Sequence, residues 1–186
     1  MIALHSLWLP IVLSAVAVFF VSSIIHMATP WHKGDYAKAP DEDKLMEAVR
    51  SLGLPPGDYM VPRPASRQDV ASAAFKEKLA KGPVMVLTVM PGGPISMGTN
   101  LLQWFLYALV MGLFAAYVAS RALSVGADPL PVLRFAGATA FIGYSAALWQ
   151  MSIWYRRSWI TTLKSTVDGF VYALITGAML AWLWPR

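Results

Sequence analysis

The sequence predicts a mostly α-helical membrane protein: a bundle of four transmembrane helices with a small cytoplasmic α/β insert between the first and second helices. Hydrophobic residues make up 57% of the 186-residue chain and charged residues only 13%, whereas soluble domains carry about 25% charged residues. Four apolar stretches have the roughly 20 residues that a helix needs to cross a bilayer. Most of the charged residues lie in one segment between the first two stretches.

The predicted transmembrane helices occupy residues 1–28, 101–123, 133–155 and 160–184, and the predicted insert occupies residues 29–100. The first stretch is not typical of a cleaved signal peptide, because no Lys or Arg precedes it and its apolar run is too long. We therefore expect it to be retained as a helix.

The distribution of Lys and Arg predicts the orientation in the membrane. Twelve of the fifteen fall on the side of the insert: nine within residues 29–100, together with Arg156, Arg157 and Lys164. Only three lie on the other side. Because cytoplasmic loops carry an excess of Lys and Arg, we expect the insert in the cytoplasm and both termini outside.

Two helices are predicted within the insert. Asp41 is a suitable N-cap and Gly53 a suitable stop for an amphipathic helix over residues 41–52. Ser66 begins a capping-box pattern that predicts a second helix over residues 66–81.

Two strands complete the predicted order of helix, strand, helix, strand. They are "DYMVP" at residues 58–62 and "VMVLTVM" at residues 84–90, each bounded by Pro and Gly. Because "VMVLTVM" is apolar throughout, we expect both faces of this strand to be covered. The cover can be the insert's own helices, the membrane face of the bundle, a second copy of the chain, or another protein.

Small residues recur every fourth position in the second and fourth transmembrane helices, where they permit close approach of two backbones. A compact four-helix bundle and a homo-oligomer use such ridges equally well. The positions are Ala108, Gly112, Ala116 and Ser120 in one helix and Gly169, Ala173 and Gly177 in the other.

The predicted topology gathers polar residues in the cytoplasmic half of the bundle: His26, Gln103, Gln150, Lys164, Asp168 and Tyr172. Asp168 is the only acidic residue in any predicted span, and an ionisable group inside a membrane is a functional hypothesis by default. Lys164 lies one turn earlier and offers an intrahelical ion pair, which is the structural alternative. His26 can either meet Asp168 in a couple suited to proton transfer, or be an ordinary interfacial histidine.

No metal site and no cofactor are predicted. The chain has no cysteine, which excludes thiolate ligands and Cys nucleophiles. His26 and His32 are six residues apart with Pro30 between them, so they do not share a helical face as an i, i+4 metal pair does. We interpret Pro30 as a helix stop, and Trp31 and Tyr36 as interface anchors.

Familiar catalytic patterns are missing. The sequence has no phosphate-binding glycine-rich Lys loop, dinucleotide fingerprint, HExxH or GxSxG. Nucleic acid is not an expected partner either, because the basic residues of the insert are balanced by eight acidic ones.

The segments "PWHKGDY", "PDED" and "PPGDYMVP" resemble signature segments of a family of small uncharacterised bacterial inner-membrane proteins, with "DGFVYALITGAMLAWLWP" as a weaker match. The resemblance implies a location in the bacterial inner membrane. It implies no activity and no site residues.

Two functions therefore stay open. The missing catalytic patterns, the small-residue ridges and the apolar "VMVLTVM" favour a non-enzymatic accessory or assembly subunit, whose insert associates with itself or with a larger inner-membrane complex. The alternative is a small membrane enzyme, carrier, or lipid- or ligand-binding protein that uses the polar residues of the bundle. Membrane lipid is an expected partner in both cases.

Overall fold

The computed structural model describes residues 2–186 and confirms the predicted fold class. Within these residues, four helical segments are long and apolar enough to cross a membrane: Leu4–Ala28, Met97–Ala122, Pro129–Tyr155 and Trp159–Trp182. A two-stranded sheet and two short helices lie between the first and second of them in the sequence. The chain is a multi-pass membrane protein.

The individual elements, in chain order, are α1 (Trp8–Ser23), α2 (Glu42–Ser51), β1 (Gly57–Val61), α3 (Ala73–Lys81), β2 (Met85–Val89), α4 (Met97–Ala122), α5 (Pro129–Ser145), α6 (Trp149–Tyr155) and α7 (Trp159–Trp182). A 3-10 turn precedes α1, and a π-helical turn, Ile24–Ala28, extends it. A second 3-10 turn, Ala146–Leu148, joins α5 to α6 within the third span.

The third span begins earlier than residue 133. Pro129 and Pro131 both lie in the first turn of α5, where a missing backbone N–H is tolerated and the fixed φ suits a helix. The second span also begins earlier than predicted, at Met97, because the side chain of Ser96 caps it by accepting from the Thr99 amide.

The chain divides into two compact units. One contains residues 2–36 and Ser96–Arg186, and the other contains Ala37–Ile95. The predicted insert of residues 29–100 is therefore too long at both ends. Residues 29–36 belong to the helical unit because they turn back after the first span and hydrogen-bond to α7.

The four spans form a closed ring in which α1 and α5 each pack against both α4 and α7, and the contact of α5 with α7 is the most extensive. All seven positions of the two small-residue ridges are buried. Gly112 faces Ser14 and Ile11 of α1, and Gly177 faces the backbone of α5. The ridges are thus used within one chain.

The second helix of the insert is shorter than predicted. The hydroxyl of Ser66 accepts from the Asp69 amide at 3.2 Å and closes a separate 3-10 turn, Asp69–Ala71. Ser72 then adopts extended backbone angles and caps α3 by accepting from the Phe75 amide. Serine side chains that bond to nearby amides compete with helix continuation, so the predicted helix over 66–81 is divided into a turn and a helix.

The two strands pair antiparallel, with Gly57 opposite Val89 and Val61 opposite Met85. Directly paired residues share a face of the sheet. Met60 and its partner Val86 are 46% and 47% exposed. Within one chain the face that carries these two residues is open, so cover by the membrane, a second copy of the chain or another protein stays a prediction.

The close contact between α5 and α7 can be tested at Gly177. A Cβ at this position would lie 2.9 Å from the carbonyl oxygen of Leu133 and 3.1 Å from the amide nitrogen of Gly137. These are backbone atoms that cannot swing aside. We expect Gly177→Ala to lower the free energy of unfolding by about 1–3 kcal/mol, measured as a lower midpoint of thermal unfolding in detergent.

Gly98→Ala is the matched control, because a Cβ at Gly98 in α4 meets nothing within 4 Å. Alanine also favours a helix over glycine, so this variant should unfold at the wild-type temperature or above it. Equal midpoints for the two variants would contradict the described α5–α7 contact.

Candidate functional site

The loop after the first span folds back onto α7. Pro30 has no amide to continue the helix, and the hydroxyl of Thr29 donates to the carbonyl of Ile25 and accepts from the Trp31 amide. Two successive turns follow, in which the amides of Lys33 and Asp35 donate to the carbonyls three residues earlier. These turns direct the side chains of residues 31, 32 and 35 towards α7.

Five residues form what we name the loop–helix cluster: Trp31, His32, Asp35, Lys164 and Asp168. The Trp31 indole N–H donates to Oδ1 of Asp168 at 3.1 Å, and Nε2 of His32 lies 2.8 Å from Oδ2 of the same carboxylate. Nδ1 of His32 lies 2.6 Å from Oδ2 of Asp35. The Lys164 ammonium donates to Oδ1 of Asp35 at 3.0 Å and to the Trp31 carbonyl at 2.7 Å.

The His32 ring lies between two carboxylates that are largely removed from solvent. The side chains of Asp35 and Asp168 are 8% and 7% exposed, and that of His32 is 15% exposed. A carboxylate accepts hydrogen bonds and does not donate them, so each ring nitrogen needs a proton or another cation on it. With both nitrogens protonated, the two negative carboxylates are balanced by His32 and Lys164.

The neighbours of Asp35 favour the ionised form of its carboxyl group. Burial raises the pKa of this carboxyl, but its hydrogen bonds to His32 and Lys164, together with their positive charges, bring it below the ordinary value of 3.8. Asp35 is therefore ionised and acts as an acceptor for both neighbours.

The structure brings His26, Lys164 and Asp168 together, although not in the pairs that the sequence suggested. His26 does not pair directly with Asp168. Its ring stacks on His32, with centroids 4.4 Å apart and planes at 11°. Lys164 extends to Asp35 and not to Asp168. The reason is common to both: the returning loop supplies partners that helix periodicity could not indicate.

The other three predicted site residues lie outside the cluster. Gln103 and Gln150 are exposed. Tyr172 is buried one turn beyond Asp168, and its ring contacts those of Trp104 and Tyr144. Among the described residues, its hydroxyl has no hydrogen-bond partner.

Three side chains of this region offer metal-ligating atoms close together. One atom from each of His26, His32 and Asp168 lies within 4.8 Å of the others. The two histidines do not share a helical face, but the π-helical turn and the bend at Pro30 place their imidazoles side by side.

Two largely apolar grooves flank the cluster. The Trp31 groove has a volume of about 520 Å³ and is lined by Ile25, Thr29, Pro30, Trp31, Val167, Asp168 and Val171. The His26 groove has a volume of about 470 Å³ and is lined by Ser22, Ser23, His26, Met27, Met97, Leu101 and Trp104. Each groove thus has one ionisable side chain among its lining residues.

No family model, curated protein or solved structure matches this chain.

The contribution of the loop–helix cluster to the stability of the fold can be tested at Asp168. Asp168→Ala removes the acceptor of both Trp31 and His32 and leaves charge in the cluster unbalanced, so we expect a loss of about 3–5 kcal/mol in the free energy of unfolding. Asp128→Ala is the control, because Asp128 is an exposed acid of the same unit with no capping hydrogen bond from its side chain. Its effect should stay within about 0.5 kcal/mol.

The double variant with His32→Ala measures the contact itself. Residues of one network couple by about 0.5–3 kcal/mol, so the double variant should lose less stability than the sum of the two single variants. Strict additivity would show that the two side chains do not interact.

Proposed function

We propose that this chain is a bacterial inner-membrane protein whose loop–helix cluster binds the polar head of an amphiphile, while the Trp31 groove holds its apolar part. One observation carries the proposal: a buried carboxylate, Asp168, lines a groove whose other walls are mainly apolar. Ligand sites of this kind combine apolar walls with a few polar groups that fix the orientation of the ligand.

The chemistry of the groove favours one class of head group. Asp168 is the one ionisable residue among the lining residues, and it only accepts hydrogen bonds. Each of its oxygens has two lone pairs, and each already has one partner, so each has room for one further donor. The indole of Trp31 is 42% exposed and offers a ring face beside the carboxylate. An amino or hydroxyl head group fits these two features.

The arrangement supports binding in preference to proton transfer. A general base needs a free lone pair within reach of the substrate. Both nitrogens of His32 face carboxylates, so this ring is occupied by its own neighbours. The lone pairs that remain are those of Asp168, which we assign to holding the head group, and we propose no reaction at the cluster.

The distribution of Lys and Arg supports an orientation with residues 37–95 in the cytoplasm and both termini outside. The first and fourth spans then meet the loop–helix cluster at the cytoplasmic face. An amphiphile in the Trp31 groove would accordingly belong to the inner leaflet of the membrane.

The proposal is tested by blocking one groove and comparing it with another. Val167 lines the Trp31 groove, and Leu174 lines a different apolar groove on the same helix. Both side chains are substantially exposed, at 51% and 42%, so tryptophan is tolerated at either position. We expect Val167→Trp to reduce the amphiphile that co-purifies with the protein by about tenfold, an effect of about 1.4 kcal/mol.

Native mass spectrometry from a mild detergent, followed by extraction and identification of bound lipid, provides the measurement. Leu174→Trp should retain the wild-type amount, and Asp168→Asn should change which head groups are retained. Equal retention by the two tryptophan variants would refute binding in the Trp31 groove.

A second function is favoured by a separate observation in the unit Ala37–Ile95. The sheet face that carries Met60 and Val86 is open, and the neighbouring pair on this face, Asp58 and Thr88, is polar. Exposed apolar residues rimmed by polar ones are typical of interaction sites. This supports the accessory or assembly role, in which the sheet associates with a second copy of the chain or with another subunit of an inner-membrane complex.

Replacing both residues by threonine tests this second function. Threonine has the β-branched shape that strands favour and makes the face polar. We expect the wild-type protein to give masses above that of one chain in native mass spectrometry, and Met60→Thr/Val86→Thr to give mainly single chains. Val70→Thr, an exposed position outside the sheet, should behave as the wild type. A wild-type protein that is already a lone monomer would contradict the assembly role.

A further inference from the structure

The geometry points to a binding site for one divalent transition-metal ion, held by His26, His32 and Asp168. Zn²⁺ matches this ligand set well. The metal site shares Asp168 with the proposed amphiphile site. It is tested with the metal alone, so its failure and the failure of amphiphile binding are distinguishable.

His32 and Asp168 are in short contact. Nε2 of His32 lies 2.8 Å from Oδ2 of Asp168, and Nδ1 of the same ring faces the carboxylate of Asp35. A ring between two acceptors needs a positive group at each nitrogen. A metal ion at Nε2 meets this need as well as a proton does, and it satisfies the Asp168 oxygen at the same time.

Hydrogen bonds at Nδ1 orient both imidazoles. Nδ1 of His26 lies 3.0 Å from the carbonyl oxygen of Ser22, and a carbonyl only accepts, so Nδ1 carries the proton. Nδ1 of His32 likewise faces Asp35 at 2.6 Å. Histidines that bind metal almost always donate their other N–H to a carbonyl or a carboxylate, which fixes the ring and the tautomer. The Nδ1 hydrogen bond of each imidazole therefore matches the one that metal-bound histidines make. Nε2 of each ring is the atom that would bind the ion.

The three ligand atoms are somewhat farther apart than in a bound site. They lie within 4.8 Å of one another, whereas bonds of about 2.0–2.2 Å in a tetrahedral zinc site put ligand atoms about 3.3–3.6 Å apart. The two rings are nearly parallel, so His26 must pivot towards the other two ligands. His26 is the exposed member of the three, so its ring has room to turn about the hydrogen bond between Nδ1 and the Ser22 carbonyl.

The ligand types select the class of metal. Two imidazoles and one carboxylate suit Zn²⁺ and other first-row transition metals, whereas Mg²⁺ and Ca²⁺ prefer sites made of oxygen ligands. Three protein ligands also leave one position of a tetrahedral zinc ion open to water or to another ligand.

Calorimetric titration of the full chain with Zn²⁺ tests the site. The protein is purified in detergent with a tag that contains no histidine and is first treated with a chelator. We expect one Zn²⁺ per chain, and we expect the same titration with Mg²⁺ to give no binding. His26→Ala and Asp35→Asn should each weaken zinc binding at least about tenfold, and His32→Ala should abolish it.

His5→Ala is the matched control, because His5 is the remaining histidine of the chain and lies before α1, at the opposite end of the first span. It should bind Zn²⁺ as the wild type does. His26→Ala also shows whether a loss of zinc binding is really a loss of folding. Because the His26 ring is exposed, the metal-free variant can be compared with the metal-free wild type by thermal unfolding. No zinc binding by the wild type, or equal binding by the wild type and His26→Ala, would overturn the site.

Discussion

The contact between His32 and Asp168 is the interaction on which the rest of the site depends. A carboxylate inside an apolar helix is costly unless it is paired, and here its partner comes from a loop more than a hundred residues away in the sequence. The same contact fixes residues 29–36 against α7. The loop then provides one wall of the Trp31 groove and places His32 beside His26. Loop position, groove and paired imidazoles are therefore consequences of one buried charge and its partner.

Lys164 has a different task from the one its spacing suggests. It lies one turn before Asp168, where an intrahelical ion pair is available. It extends instead to Asp35 and to the carbonyl of Trp31, so it holds the loop at a second point. This leaves Asp168 with the indole and the imidazole as its neighbours. These two donors hold Asp168 in place with one hydrogen bond to each of its oxygens. Each oxygen keeps a lone pair, which a ligand site requires.

The fold could be predicted from the sequence much further than the site could. Four spans follow from composition and length, because the bilayer requires about 20 apolar residues per helix. The predicted start of α3 was wrong because Ser66 accepts from the Asp69 amide beside a separate turn, and Ser72 is the residue that caps the helix. The cluster was only partly predicted. Asp168 and Lys164 were singled out by their depth in the bundle, but Trp31, His32 and Asp35 lie in a loop that periodicity treats as an exit from the membrane. No rule of helix spacing shows that such a loop turns back.

Packing within the bundle also limits where an assembly contact can lie. The small residues that allow helices to approach closely are buried inside the ring, with Gly112 against α1 and Gly177 against α5. The outward positions hold large apolar side chains such as Leu102, Phe114 and Phe170, which suit lipid. In lipid there is no hydrophobic force to bring such surfaces together. In water there is, and the open face of the β1–β2 sheet exposes Met60 and Val86 beside the polar pair Asp58 and Thr88. An assembly built by this chain is therefore better supported by the sheet than by its membrane helices.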